Sequence, residues 1–131
     1  MPHTLTKVDM ASNEPRGPRQ ILQAFRYSAQ GLYAAWRHEA SFRMEIYLAT
    51  PLIPLGIYLG ATAAERALMA GSVLLVPMLE LLNGGLEAIV DKTTPELHVL
   101  AGRAKDMGSA AVFFAMMNAA MVWSLVLWSR W

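Results

Sequence analysis

The sequence predicts an all-α membrane protein: three transmembrane helices preceded by an amphipathic helix on the membrane surface. Three observations predict it. First, Ile46 to Ala64 runs 19 residues without a charge, and Met107 to Ser129 runs 23. Second, Ala67 to Val90 runs 24 residues, interrupted only by Glu80 and Glu87. About 20 apolar residues of helix cross the ~30 Å hydrocarbon core. Third, 55% of the 131 residues are hydrophobic and 16% are charged, against ~45–50% and ~25% in soluble domains. A one-domain chain this short cannot bury so much apolar surface in its own core, so lipid or partner chains must cover it.

The same composition excludes several function classes. A net charge of +1 gives no basic face for nucleic acid. The absence of cysteine excludes disulfides, thiolate metal sites and cysteine nucleophiles.

Residues 1–18 hold Asn13, Pro15, Gly17 and Pro18 with no apolar period, and are expected to form a flexible tail. They contain no apolar signal-peptide region, so the first span is expected to stay as an anchor. Pro18 suits the first turn of a helix. From there Ile21, Phe25, Leu32 and Trp36 recur at helical spacing, with Gln23, Arg26, Gln30 and Arg37 on the other side. This is the surface helix, about 19–38, with its arginines near anionic headgroups. The spans follow at about 42–63, 65–91 and 103–129, within a domain running from 19 to 131. The strictly uncharged part of the second, Ala67 to Leu79, is short enough to be a buried soluble helix, but its two flanking spans favour the membrane.

Lys7, Arg16, Arg19, Arg26, Arg37 and Arg43 precede the first span, and Lys92, Arg103 and Lys105 flank the second loop. The outer turn carries only Arg66 and the C-terminal end only Arg130. The positive-inside rule therefore puts the N-terminus and the second loop in the cytoplasm. Trp123, Trp128 and Trp131 are expected in an aromatic belt at the outer face.

The second span carries the chemistry. Glu80 and Glu87 are two turns apart, about 20° from one another on the helix wheel, and Asn83 lies about 60° away. A carboxylate inside a membrane is costly and by default functional or paired. The structural alternative is a salt bridge to Arg43, Lys105 or Arg103. Gly84 and Gly85 would admit a second helix backbone, and Pro77 is a place for a kink. In this topology both carboxylates lie toward the cytoplasmic end, where a lipid headgroup is reached from the water side. His38, Glu39, Arg43, Glu45, Glu96, His98, Arg103, Lys105 and Asp106 gather at the same level. Carboxylates with cations suit Mg²⁺ and phosphate, and a lipid hydroxyl needs a general base. There is no Walker loop and no protein-kinase motif set.

Three blocks resemble the prokaryotic diacylglycerol kinase family: Ala34-Ala-Trp-Arg-His-Glu-Ala-Ser-Phe-Arg43, Glu80-Leu-Leu-Asn-Gly-Gly-Leu-Glu-Ala-Ile-Val-Asp91, and Gly102-Arg-Ala-Lys-Asp-Met-Gly-Ser-Ala-Ala111. The second follows the pattern E-x-x-N-x-x-x-E-x-x-x-D, and the resemblance runs from about Gln20 to Trp131. It implies a homotrimeric bundle of three-span chains in a bacterial inner membrane, with active sites on the cytoplasmic side shared between neighbouring chains. It implies transfer of the ATP γ-phosphoryl to diacylglycerol, giving phosphatidic acid and ADP for phospholipid recycling. By motif position, Glu80 is the expected general base, with Asn83 and Lys105 catalytic. Glu39 and Glu87 are the expected Mg²⁺ ligands. Tyr27, Glu39, Glu87, Glu96, His98, Lys105 and Asp106 are expected at the nucleotide. Arg43, Glu80 and Ser109 are expected at the lipid.

Some positions depart from that pattern. The pair after Asn83 is Gly-Gly, where Ser-Ala or Thr-Ala is usual. Gln20, with Arg19 beside it, stands where an arginine often contacts nucleotide. The undecaprenol kinases of the same superfamily tend to have Ala-Gly-Ala after the Lys-Asp pair, whereas this chain has Met-Gly-Ser-Ala-Ala. A proton-coupled transporter built on Glu80 would need a mid-membrane carboxylate and no ATP, and a lipid-binding trimer without turnover would not need the Glu80, Glu87 and Lys105 set.

Overall fold

The structure, a computed structural model, describes residues 17–93 and 98–130. The expected tail up to residue 16, Glu96 and Trp131 lie outside the described residues. Four helices follow in order: α1 (Pro18–His38), α2 (Ala40–Leu59), α3 (Ala63–Thr93) and α4 (Val99–Trp128). The chain divides into two units, Met1–Gly31 and Leu32–Trp131.

In the first unit, α1 opens by reciprocal capping. Gly17 precedes Pro18, whose missing N–H costs nothing in a first turn. The Gln20 side chain accepts from the Gly17 N–H at 3.0 Å, and the Gln20 N–H donates to the Gly17 carbonyl at 3.0 Å. Gln20 thus closes the start of the helix in the manner of a capping-box residue.

In the second unit, α1 ends by a one-residue interruption. The Glu39 N–H donates to the Ala35 carbonyl at 2.8 Å, closing α1. Glu39 itself is extended, and its carbonyl accepts from Arg43 N–H at 3.2 Å, opening α2. The Arg43 guanidinium reaches back to the carbonyls of Trp36 (2.7 Å) and Arg37 (3.3 Å). A cation there satisfies the orphan acceptors of a helix C-terminus.

Helix α3 packs against both α2 and α4. Their junction is built on Gly56 of α2: a Cβ there would stand 3.0 Å from Met69 Cβ and 3.1 Å from Trp123 Cζ2. The Trp123 indole donates to the Met69 carbonyl at 3.0 Å, and Met69 is fully buried. Trp123 therefore points inward, not into the outer belt, because its N–H finds a partner on α3. Trp128 is exposed.

Helices α3 and α4 are long and apolar enough to cross a membrane. Helix α2 has 20 residues, with Arg43 and Glu45 in its first two turns and two tyrosines and two prolines beyond them. It stops at Leu59, short of the expected 63, because the chain turns over Gly60 to reach α3. A Cβ on Gly60 would lie 2.7 Å from the Arg66 backbone nitrogen. Its φ is negative, so the position needs a glycine for space and not for backbone freedom. The turn is clasped: Glu65 accepts from Ala61 N–H at 2.7 Å and pairs with Arg130 at 3.0 Å, while Thr62 Oγ1 accepts from Glu65 N–H. Helix α4 begins at Val99, before the expected 103, because His98 caps it: its Nδ1 accepts from Leu100 N–H at 3.1 Å. Pro77 is buried inside an uninterrupted α3.

Burial is inverted relative to a soluble protein. Phe42, Ala49, Met69, Val73, Val112 and Ala115 are buried together with Glu45, Ser72, Glu80 and Asn83. Met44, Tyr58, Phe113, Phe114 and Trp128 face outward.

Two glycine substitutions test this packing. Gly60→Ala meets backbone that cannot yield and is expected to destabilise by about 1–3 kcal/mol, the usual cost of overpacking. Gly71→Ala, whose Cβ meets nothing within 4 Å, is expected to be neutral or to gain about 0.5–1 kcal/mol of helix preference. Equilibrium unfolding in detergent checks both.

Candidate active site

The interruption at Glu39 sets the site. A residue in this N-cap position usually turns its side chain to the following N–H groups. Glu39 makes no such bond. Its side chain lies on α3 instead: a Cβ on Gly84 would stand 3.3 Å from Glu39 Cγ, Cδ and Oε1. Gly84 thus accommodates a carboxylate side chain, not a helix backbone. Around Gly85 a Cβ would meet nothing within 4 Å.

On α3, Glu80 and Asn83 are buried and Glu87 is half-buried. The charges of Glu39 and Glu87 both act on Glu80. Asn83 Nδ2 donates to Glu87 Oε1 at 3.4 Å. Glu39, Glu80 and Glu87 are therefore assembled within one chain. Among the described residues, no ion pair joins Glu80 or Glu87 to Arg43, Arg103 or Lys105. Arg43 caps α1, and Lys105 pairs with Asp91 at 2.9 Å. Lys105 also lies within charge range of Glu87.

Two residues join the group that sequence reasoning left unassigned. Glu45 is buried, its charge acts with that of Glu80, and its Oε2 is buried without a hydrogen-bond partner. The signal was available: it is a carboxylate inside α2, the criterion that singled out Glu80 and Glu87. The uncharged stretch is counted from Ile46, one residue past it. Asp91 closes the motif of the second block, and its spacing from Lys105 shows only once α3 and α4 are antiparallel neighbours.

The other expected residues lie apart or make different bonds. Asp106, Ser109 and His98 are exposed, and the His98 ring nitrogen caps α4. Asp106 and Ser109 form no hydrogen bond or ion pair among the described residues. Tyr27 is exposed in the first unit. Gln20 is engaged in capping. Glu96 lies outside the described residues.

Like charges that act on one another are stabilised by a proton or a cation among them. Among the described residues no three acidic or histidine side chains form a metal cage. Glu39 and Glu87 offer two carboxylates whose charges act on Glu80. That donor set fits a hard cation taking one or two carboxylates and completing its shell with substrate phosphates.

The chain matches the profile of the prokaryotic diacylglycerol kinases over residues 26–127. It is 48% identical over 111 residues to a diacylglycerol kinase of Haemophilus influenzae, covering 85% of this chain and 94% of that one. It is 43% identical over 119 residues to that of Escherichia coli K12, covering 91% and 98%. It is 44% identical over 111 residues to that of Pseudomonas aeruginosa, covering 85% and 90%.

The seat of Glu39 on Gly84 is open to a direct test. Gly84→Ala forces a 3.3 Å contact on that carboxylate and is expected to cut turnover by about tenfold, the scale of losses when the support of a functional carboxylate is disturbed. Gly85→Ala is expected to retain activity. Initial-rate assays on both variants decide.

Proposed function

The chain belongs to the prokaryotic diacylglycerol kinase family and is a kinase, and from this premise we propose that it transfers the γ-phosphoryl of Mg-ATP to the free hydroxyl of diacylglycerol, giving phosphatidic acid and ADP. The observation that carries the reading is that Glu39 lies against α3 at Gly84 while its charge and that of Glu87 act on Glu80, with no ion pair from these carboxylates to a cationic side chain among the described residues.

In this reading Glu80 accepts the proton of the lipid hydroxyl while that oxygen forms its bond to the γ-phosphorus. The bond from the γ-phosphorus to its bridging oxygen breaks, and ADP leaves. Mg²⁺, when bound with ATP, neutralises charge on the transferring group. Glu39 and Glu87 would hold it from the protein side. Asn83 steadies Glu87. Lys105 exchanges Asp91 for phosphate oxygens as nucleotide enters, and Asp106 and His98 face the nucleotide from α4. Arg43 and Ser109 serve the lipid headgroup. A buried base is suited to this step because water that would compete for the phosphoryl is excluded.

We place α2 as a third span beside α3 and α4, with α1 on the cytoplasmic surface of a bacterial inner membrane. The lysine and arginine asymmetry supports that orientation. The outward apolar faces of α2, α3 and α4 support a homotrimer, in which a neighbouring chain covers the lipid side of each acidic group. Buried polar groups cost least when a second chain shields them from lipid.

Glu80→Gln keeps the shape of the side chain and removes its ability to take a proton. It is expected to lower lipid phosphorylation by at least ~10²-fold while Mg-ATP affinity, measured by equilibrium binding, is retained. Normal turnover by an intact Glu80→Gln protein would remove the general-base assignment.

A further inference from the structure

We propose that Gly108 is a positioning residue for this reaction, whose bare Cα holds the Asn83 amide in the one orientation that serves Glu87. The proposal rests on the preceding reading of Glu87. A Cβ placed on Gly108 would overlap Asn83 Oδ1 and stand 3.3 Å from Asn83 Cγ and 3.1 Å from Leu86 Cδ2. The amide of Asn83 therefore occupies the place that a side chain at 108 would take. With Oδ1 seated there, Nδ2 points along α3 to Glu87 Oε1 at 3.4 Å. The orientation follows from chemistry, because a carboxylate only accepts, so the NH₂ end must face it.

Oδ1 is left buried with no hydrogen-bond partner. A buried acceptor without a partner is a cost that native structures seldom carry without a use. Here the use is to turn the donor end toward Glu87. The need is local to this position. Gly102, on the same helix, has nothing within 4 Å of a Cβ, and neither has Gly85 on α3. Gly108 thus differs from Gly85 and Gly102 by what occupies the place of its missing side chain, and it is approached more tightly than Gly84. The neighbour is the far end of a flexible side chain, so an added methyl can be accommodated by rotating Asn83. That rotation spares the fold and removes the bond to Glu87.

The test is Gly108→Ala in the full-length, detergent-solubilised protein, with two readouts. The Asn83 side-chain amide signal, assigned by its loss in Asn83→Ala, is followed by nuclear magnetic resonance without nucleotide or lipid. The Mg²⁺ concentration for half-maximal lipid phosphorylation is measured alongside. The expected result is a displaced amide signal, an unfolding midpoint close to wild type, and a Mg²⁺ requirement raised about tenfold, as when the partner of a ligating carboxylate is lost. An unmoved amide signal overturns the proposal, and so does a displaced signal with unchanged Mg²⁺ dependence. Should Gly108→Ala fail to fold, the double variant with Asn83→Ala removes the collision. Recovery of folding then supports the contact, and continued failure overturns it. A wild-type protein that does not phosphorylate diacylglycerol would instead sink the functional reading, while the amide signal still reports on Gly108.

Discussion

A carboxylate can be laid against an apolar helix only where the chain on both sides makes room, and the rest of this structure follows from how Glu39 is accommodated. The helix that carries it stops for one residue, so that Glu39 is extended between α1 and α2. The facing helix has Gly84 at the contact, and Cγ, Cδ and Oε1 of Glu39 rest where a side chain would otherwise stand. Arg43 satisfies the carbonyls that the interruption exposes. With Glu39 in place, the charges of two further carboxylates act on Glu80, and a proton or a cation among them stabilises the cluster.

The same logic explains the inverted burial. Where lipid surrounds a chain, apolar contact between helices gains little over apolar contact with lipid, so packing and hydrogen bonds decide which faces meet. Small and polar residues therefore line the contacts: Gly56 under Trp123, Gly84 under Glu39, Gly108 under Asn83. The indole of Trp123 donates to a backbone carbonyl across the α3–α4 contact. Many large apolar side chains are turned outward, and Glu45, Ser72, Glu80 and Asn83 are buried beside Phe42, Met69 and Val73.

Much of this was legible in the sequence, for reasons that differ by residue. The seven-residue spacing of Glu80 and Glu87 places them on one face by helix geometry alone, and α3 keeps it. The polar level at Glu39, Lys105 and Asp106 was visible from the charge pattern. Nothing local, however, marks Glu39 as the residue where two helices part. That depends on Arg43 reaching back and on Gly84 lying opposite. Glu45 is placed at that level by the sequence but given no role, because it sits one residue before an uncharged run. Trp123 was misplaced because an interfacial belt and an inward hydrogen bond demand the same residue type. The start of α4 was missed because a histidine cap is a weaker signal than a run of apolar residues.

The central claim is that this acidic cluster directs the γ-phosphoryl of ATP onto a diacylglycerol hydroxyl. The most direct measurement presents the purified wild-type protein, in mixed micelles, with Mg²⁺, γ-labelled ATP, and equal amounts of diacylglycerol and undecaprenol. The account expects label in phosphatidic acid and none in undecaprenyl phosphate. Label in the polyprenyl product, or none in either lipid, would contradict it.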